Sequence, residues 1–161
     1  MKLEWWILLG AWLLTIRLLF LIPKNKIRLA VTVFLFAQAI TWIFGLLVVQ
    51  YGLISYPVRL FADVNRASFT YEFFVYPTVA AIFNVFYPHS SRKVLKFFYY
   101  GAYCTALTIP EVLIEKYTDS LEYHHWTWYW TWITLFLTFM ITRGFCVWFY
   151  RGLLKEIDES G

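Results

Sequence analysis

Five long apolar runs separated by short polar connections set the pattern of this chain. They fall at about residues 4–22, 28–50, 70–88, 94–115 and 126–149. Each is close to the ~20 residues that an α-helix needs to cross the hydrocarbon core of a bilayer. The runs lack the short alternation of an outer-membrane barrel, and a lipid-exposed strand would leave backbone groups unpaired. The pattern predicts an all-α, polytopic membrane bundle of five transmembrane helices, one domain over residues 1–161. No internal repeat or low-complexity linker divides it. The opening MKLEWWILLGAWLLTIRLLFLIP has no small-residue cleavage site and is long enough to span by itself.

The polar positions inside these runs carry the next level of information. Gln38 lies near the middle of the second run, where an unpaired amide is costly, so a bond to a neighbouring helix is expected. Pro77, in the third run, has no N–H and frees the carbonyl four residues back, that of Phe73. A kink there re-aims Glu72 and Tyr76. Pro110 stands directly before Glu111 and predicts a bend or break near the end of the fourth helix. The stretch YGLISYPVRLFADVNRASF, residues 51–69, is too long and too mixed for a plain connector. It reads as an interfacial half-helix or a cap. Arg17, near the end of the first run, is placed to snorkel.

Composition agrees with a bilayer. Of the 161 residues 61% are hydrophobic and 15% charged, where soluble chains carry about 25% charged. Mean hydropathy is +0.59. Aromatic residues reach 23%, an excess that suits interfacial belts and helix packing. The net charge of +4 is a topology signal and not a nucleic-acid one, because the basic residues flank the apolar runs. Lys24, Lys26, Arg28, Arg92, Lys93, Lys96, Arg143, Arg151 and Lys155 fall on one side, against Lys2, Arg59, Arg66 and Lys116 on the other. The positive-inside rule then predicts a cytoplasmic C-terminus and an external N-terminus. Cys104 and Cys146 form no CxxC and read as buried apolar thiols.

With that topology Glu72, Glu111, Glu115, Asp119, Glu122, His124 and His125 all collect at the outer boundary. They stand before a run of alternating tryptophans, WTWYWTW. On a continuous helix Glu111, Glu115 and Asp119 share a face, and such carboxylates need a cation, a proton or an arginine among them. Arg59, Arg66, a metal ion or a cationic ligand are the candidates. His124 and His125 diverge by about 100° on a helix, and no HExxH-like spacing is present, so the metal signal is weak and the cofactor is left unknown. The tryptophans serve either as an interfacial belt or, turned inward beside the carboxylates, as a cation–π box. The candidate ligand-binding residues are Glu72, Tyr76, Glu111, Glu115, His125, Trp128 and Trp130.

SFTYEFFVYPTVAAIFNVFYP and EVLIEKYTDSLEYHHWTWYWTW resemble a family of small five-helix integral membrane proteins of spore-forming Gram-positive bacteria, a likeness running from the first helix to Arg143. That resemblance implies the fold and a membrane location and no catalytic residue. In size and helix count the chain is also similar to the tryptophan-rich sensory protein (translocator) family, which binds porphyrins and sterols. That family's loop signature is absent, so this second likeness is one of architecture alone.

The expected function is binding or transport of a lipophilic or cationic small molecule, or a lipid, in an outer-leaflet acidic and aromatic pocket. The location is the cell membrane, multi-pass. A metal-dependent, membrane-embedded lipid hydrolase and a structural subunit of a membrane complex are the alternatives. A membrane-protein partner or a homodimer stays open, since no GxxxG stripe marks an interface.

Overall fold

The computed structural model describes residues 3–150. Lys2, Arg151, Lys155 and the polar tail lie outside the described residues. Among those described, five α-helices account for most of the chain. Helix α1 is Leu3–Leu19. A single 3-10 turn, Lys24–Lys26, leads into α2, Ile27–Gln50. A two-residue strand, β1 (Ile54–Ser55), follows. A π-helical segment, Phe69–Val75, then runs directly into α3, Tyr76–Val85. The chain continues as α4 (Lys93–Tyr117), a second short strand β2 (Glu122–Tyr123) and α5 (Trp128–Phe149).

Three helical stretches are long and apolar enough to cross a membrane: Lys24–Gln50, Lys93–Tyr117 and Trp128–Phe149. Helix α1, with 17 residues, and the π segment joined to α3 are shorter. Large apolar side chains cover the outside of the bundle. Leu13, Leu35, Ile43, Phe97 and Phe98 are all more than half exposed.

Helix α3 is the axis on which the others pack. Ala80, Ala81, Ile82, Phe83, Asn84 and Val85 are all buried. Helix α2 turns a stripe of small or branched residues towards the interior: Ala30, Val33, Ala37, Thr41 and Gly45 are buried at steps of three and four. Small side chains let two backbones approach closely. Phe83 fills the centre, stacked on Phe139 with ring centroids 4.7 Å apart and ringed by Tyr99, Tyr100 and Tyr103. Cys104 and Cys146 are buried free thiols, as expected. The last carbonyls of α3 are met by neighbours. Tyr99 donates to Phe83 O at 3.0 Å and Lys26 Nζ to Val85 O at 3.2 Å.

The prolines act differently from one another. At Pro77 the chain changes from π to α register. In the five-residue register the missing N–H would have served Glu72 O, and in the four-residue register Phe73 O. Both carbonyls are met from α2: Gln38 Nε2 donates to Phe73 O at 2.9 Å, and Thr41 Oγ1 donates to Glu72 O at 2.5 Å. The amide expected to bond across a helix interface and the carbonyl expected to lose its partner are thus one contact. At Pro110, by contrast, α4 is not broken and continues to Tyr117.

Residues 51–68 form no half-helix. They make a largely irregular cap in which Arg59 donates to the carbonyls of Tyr56, Ala62 and Asn65. Strands β1 and β2 pair antiparallel, Ile54 opposite Tyr123 and Ser55 opposite Glu122. This clasp ties the α2–α3 connection to the α4–α5 connection. The opposite end of the bundle carries Lys24, Lys26, Arg92, Lys93 and Arg143, and there Arg143 lies 4.2 Å over the Tyr87 ring with its Nη2 3.2 Å from His89 Nδ1.

Candidate functional site

The site is built from Glu111 outwards. Glu111 sits on α4 one residue after Pro110, and its carboxylate is met by three hydroxyls. Tyr76 donates to Oε2 at 2.7 Å, while Tyr123 and Thr131 donate to Oε1 at 2.6 and 2.7 Å. They come from α3, β2 and α5, so the carboxylate joins three separate elements. Trp126 Nε1 in turn donates to Thr131 Oγ1 at 2.8 Å, which orients that hydroxyl towards Glu111. Every donor to Glu111 is neutral. An ionised carboxylate has about four acceptor positions, and the three hydroxyls complement that form.

Glu72, in the π segment, lies against α2 at Gly45. A Cβ built on Gly45 would come within 2.7 Å of Glu72 Cγ and 2.8 Å of Cδ, so the absent side chain is what gives the glutamate its place. Tyr56, from the cap just after β1, donates to Glu72 Oε1 at 3.2 Å. The clasp therefore delivers one tyrosine to each carboxylate: Tyr56 to Glu72, and Tyr123 to Glu111. Burial pushes both phenols well above the ordinary tyrosine range. The negative charge of Glu72 and Glu111 beside Tyr56, and of Glu111 beside Tyr123, adds to the effect. Both stay protonated, and so remain donors, well into the alkaline range.

Two cavities meet at this cluster. The larger, about 620 Å³, is a groove running between α1 and α4 over α3, walled by Gly10, Leu14, Leu18, Val79, Ala106 and Pro110. Its lining is largely apolar; Thr15 and Tyr103 also take part, the Thr15 hydroxyl spent on Ala11 O, and Tyr56, Tyr71, Tyr76 and Glu111 enter the wall together. The smaller, about 60 Å³, lies on the other side of Tyr76 between Glu72 and Glu111, with Thr41, Thr131, Thr134 and Thr138 among its lining. Tyr56, Tyr76 and Glu111 belong to both.

Of the residues expected from the sequence, Glu72, Tyr76 and Glu111 come together. Glu115 does not join them, though it lies close enough for its charge to bear on Tyr123. Asp119 leaves the face expected of it, because the helix ends at Tyr117 and Thr118 is extended. His125 is exposed and linked to the cap only through its backbone N–H, to Leu53 O at 3.3 Å. His124 pairs with Ser55 Oγ at 2.9 Å. Trp128 and Trp130 are 59% and 47% exposed and lie outside the cluster. Trp126 turns inward onto the cluster, and Trp132 packs against the core further along, its Nε1 donating to Thr105 Oγ1 at 3.2 Å. Of the expected counter-ions, Arg59 is occupied by cap carbonyls and Arg66 is exposed. Among the described residues no group of three His, Cys, Asp or Glu assembles that could hold a metal ion.

Tyr56, Tyr123, Thr131 and Gly45 are members of the site that the sequence pattern did not single out. The signal for Gly45 was its position at one end of the buried stripe of α2. For Tyr56 and Tyr123 there was none, because two-residue strands have no readable period.

No protein-family model matches the chain, and neither a curated protein nor a solved structure matches it.

Proposed function

We propose that the chain is a five-span membrane protein with its N-terminus outside and its C-terminus cytoplasmic, which binds an amphiphilic small molecule or lipid in the lateral groove. The apolar part of the ligand lies along α1, α3 and α4, and its polar or cationic end meets Glu111. One observation carries the reading: an apolar groove of about 620 Å³ ends at a carboxylate whose donors are all neutral hydroxyls. The volume lies within the ~300–1,000 Å³ of small-molecule pockets. A carboxylate away from water is costly without an opposite charge, and the open part of the site is where a ligand supplies one.

The membrane placement has separate support. Three helices are long enough to span, and the bundle's exterior is apolar on α1, α2, α4 and α5. The two shorter helices reach across with their flanking aromatic residues and local thinning of the bilayer. Lys24, Lys26, Arg92, Lys93 and Arg143 gather at one end, which the positive-inside rule puts in the cytoplasm.

The test is native mass spectrometry of the full chain released gently from lipid, beside the variants Gly10→Phe and Glu111→Gln. Nothing lies within 4 Å of a Cβ added at Gly10, so a phenylalanine there projects into the groove without disturbing the core. The wild type should retain a lipid-like species that Gly10→Phe loses, and Glu111→Gln should weaken it much more than Glu122→Gln. Equal retention by all four proteins would overturn the reading.

A further inference from the structure

The small chamber beyond Tyr76 identifies the head of the ligand. Glu72 takes one side-chain donor, Tyr56 on Oε1, and among the described residues nothing donates to Oε2. Glu111 faces the same chamber with one donor on Oε2. The Tyr76 hydroxyl donates its hydrogen bond to Glu111 and keeps its oxygen lone pairs free to accept. The chamber thus offers carboxyl and phenol acceptors, and its lining includes no basic side chain; Arg59, in the cap above, is held by cap carbonyls.

We infer that the chamber between Glu72 and Glu111 binds the primary ammonium head of a single-chain amphiphile whose chain lies in the groove, the two parts meeting at Tyr56, Tyr76 and Glu111. This rests on the groove reading above and narrows it to one headgroup class. A primary ammonium has three N–H donors, matching Glu72 Oε2, the spare capacity of Glu111 Oε2 and the Tyr76 oxygen. Its size is close to that of water, and a space of about 60 Å³ exceeds the ~10–15 Å³ that one water needs on the same measure. A trimethylammonium head has no donors and several times the bulk. Sulfate, phosphate and carboxylate heads bring acceptors to a chamber whose lining holds two carboxyl groups and no basic side chain. A hydroxyl head fits but brings no charge. The helix length beside the groove, Ile7 to Leu18, corresponds to about 16 Å, which suits one extended chain of moderate length.

The experiment compares dodecylamine, dodecanol and dodecyltrimethylammonium at neutral pH, by calorimetry on the full chain in nanodiscs of zwitterionic lipid. Dodecylamine should bind at least about tenfold tighter than either of the others. Glu72→Gln should remove that preference by weakening dodecylamine at least about tenfold more than dodecanol. Tyr56→Phe, which takes away a donor but not the charge, should keep it. The two levels of the argument fail differently. Three probes that bind alike, or a preference that survives in Glu72→Gln, would overturn the headgroup assignment and leave the groove standing. No binding by any probe, or binding unaffected by Gly10→Phe, would overturn the groove itself. Ammonium chloride alone competing fully with dodecylamine would show a site for a free inorganic cation, and would overturn the amphiphile.

Discussion

Replacing Gln38 by leucine tests how the junction between the π segment and α3 at Pro77 is held. The change keeps the bulk of the side chain and removes the donor that meets Phe73 O at 2.9 Å. Pro77 cannot serve that carbonyl in the four-residue register, so the variant removes the donor that meets it at a part-buried position. An orphaned buried acceptor costs about 1–3 kcal/mol, and interhelical hydrogen bonds in bilayers average about 0.6 and reach about 1.7 kcal/mol. We expect Gln38→Leu to destabilise the fold by about 1–2 kcal/mol, or roughly a five- to thirty-fold change in the folded-to-unfolded ratio. In a Pro77→Ala background the restored N–H can reach the same carbonyl, and the cost of Gln38→Leu should fall to within about 0.5 kcal/mol of zero. The assay is a double-mutant cycle of equilibrium unfolding in mixed micelles, followed by tryptophan fluorescence. An equal cost for Gln38→Leu with proline or alanine at position 77 would refute the link.

Gly45→Ala should cost about 1–3 kcal/mol by pressing on Glu72 Cγ and Cδ, and most of that cost should vanish in Glu72→Ala, as measured by the same unfolding cycle. Trp126→Phe should lose about 1 kcal/mol with its bond to Thr131, whereas the exposed Trp128 replaced by phenylalanine should stay within about 0.5 kcal/mol of wild type. Tyr123 has a raised folded-state pKa, so its contribution is complete below the unfolded value of about 10 and is lost as pH climbs towards the folded one. Stability measured from pH 8 upwards should therefore fall less steeply above about pH 10 in Tyr123→Phe than in the wild type.

The helices were legible because their signal is long and local. Each helix falls within a few residues of where its apolar run predicts it, and Gln38, Phe73 and Pro77 could be read as a problem and its remedy before their contact was known. The site was half legible. Glu72 and Glu111 stood out as charges within apolar sequence, and Tyr76 followed from the kink. The donors from the cap did not, because Tyr56 and Tyr123 are aligned by a β pairing of two residues each, between segments far apart in the chain. Trp128 and Trp130 were drawn into the expected site by their number. Direction decides instead: helix α5 begins at Trp128, and Trp126, still in the connection, is free to fold back onto Thr131.

That β pairing has a mechanical meaning. Tyr56 and Tyr123 ride on the two halves of one clasp, and each supplies a proton to a different carboxylate. Displacing the clasp as a body would take one phenol from each acid at once: Glu72 would lose its side-chain donor, while Glu111 would keep Tyr76 and Thr131. The clasp is therefore a mechanical link between the two acids: one pairing of two residues a side sets the place of a phenol on each.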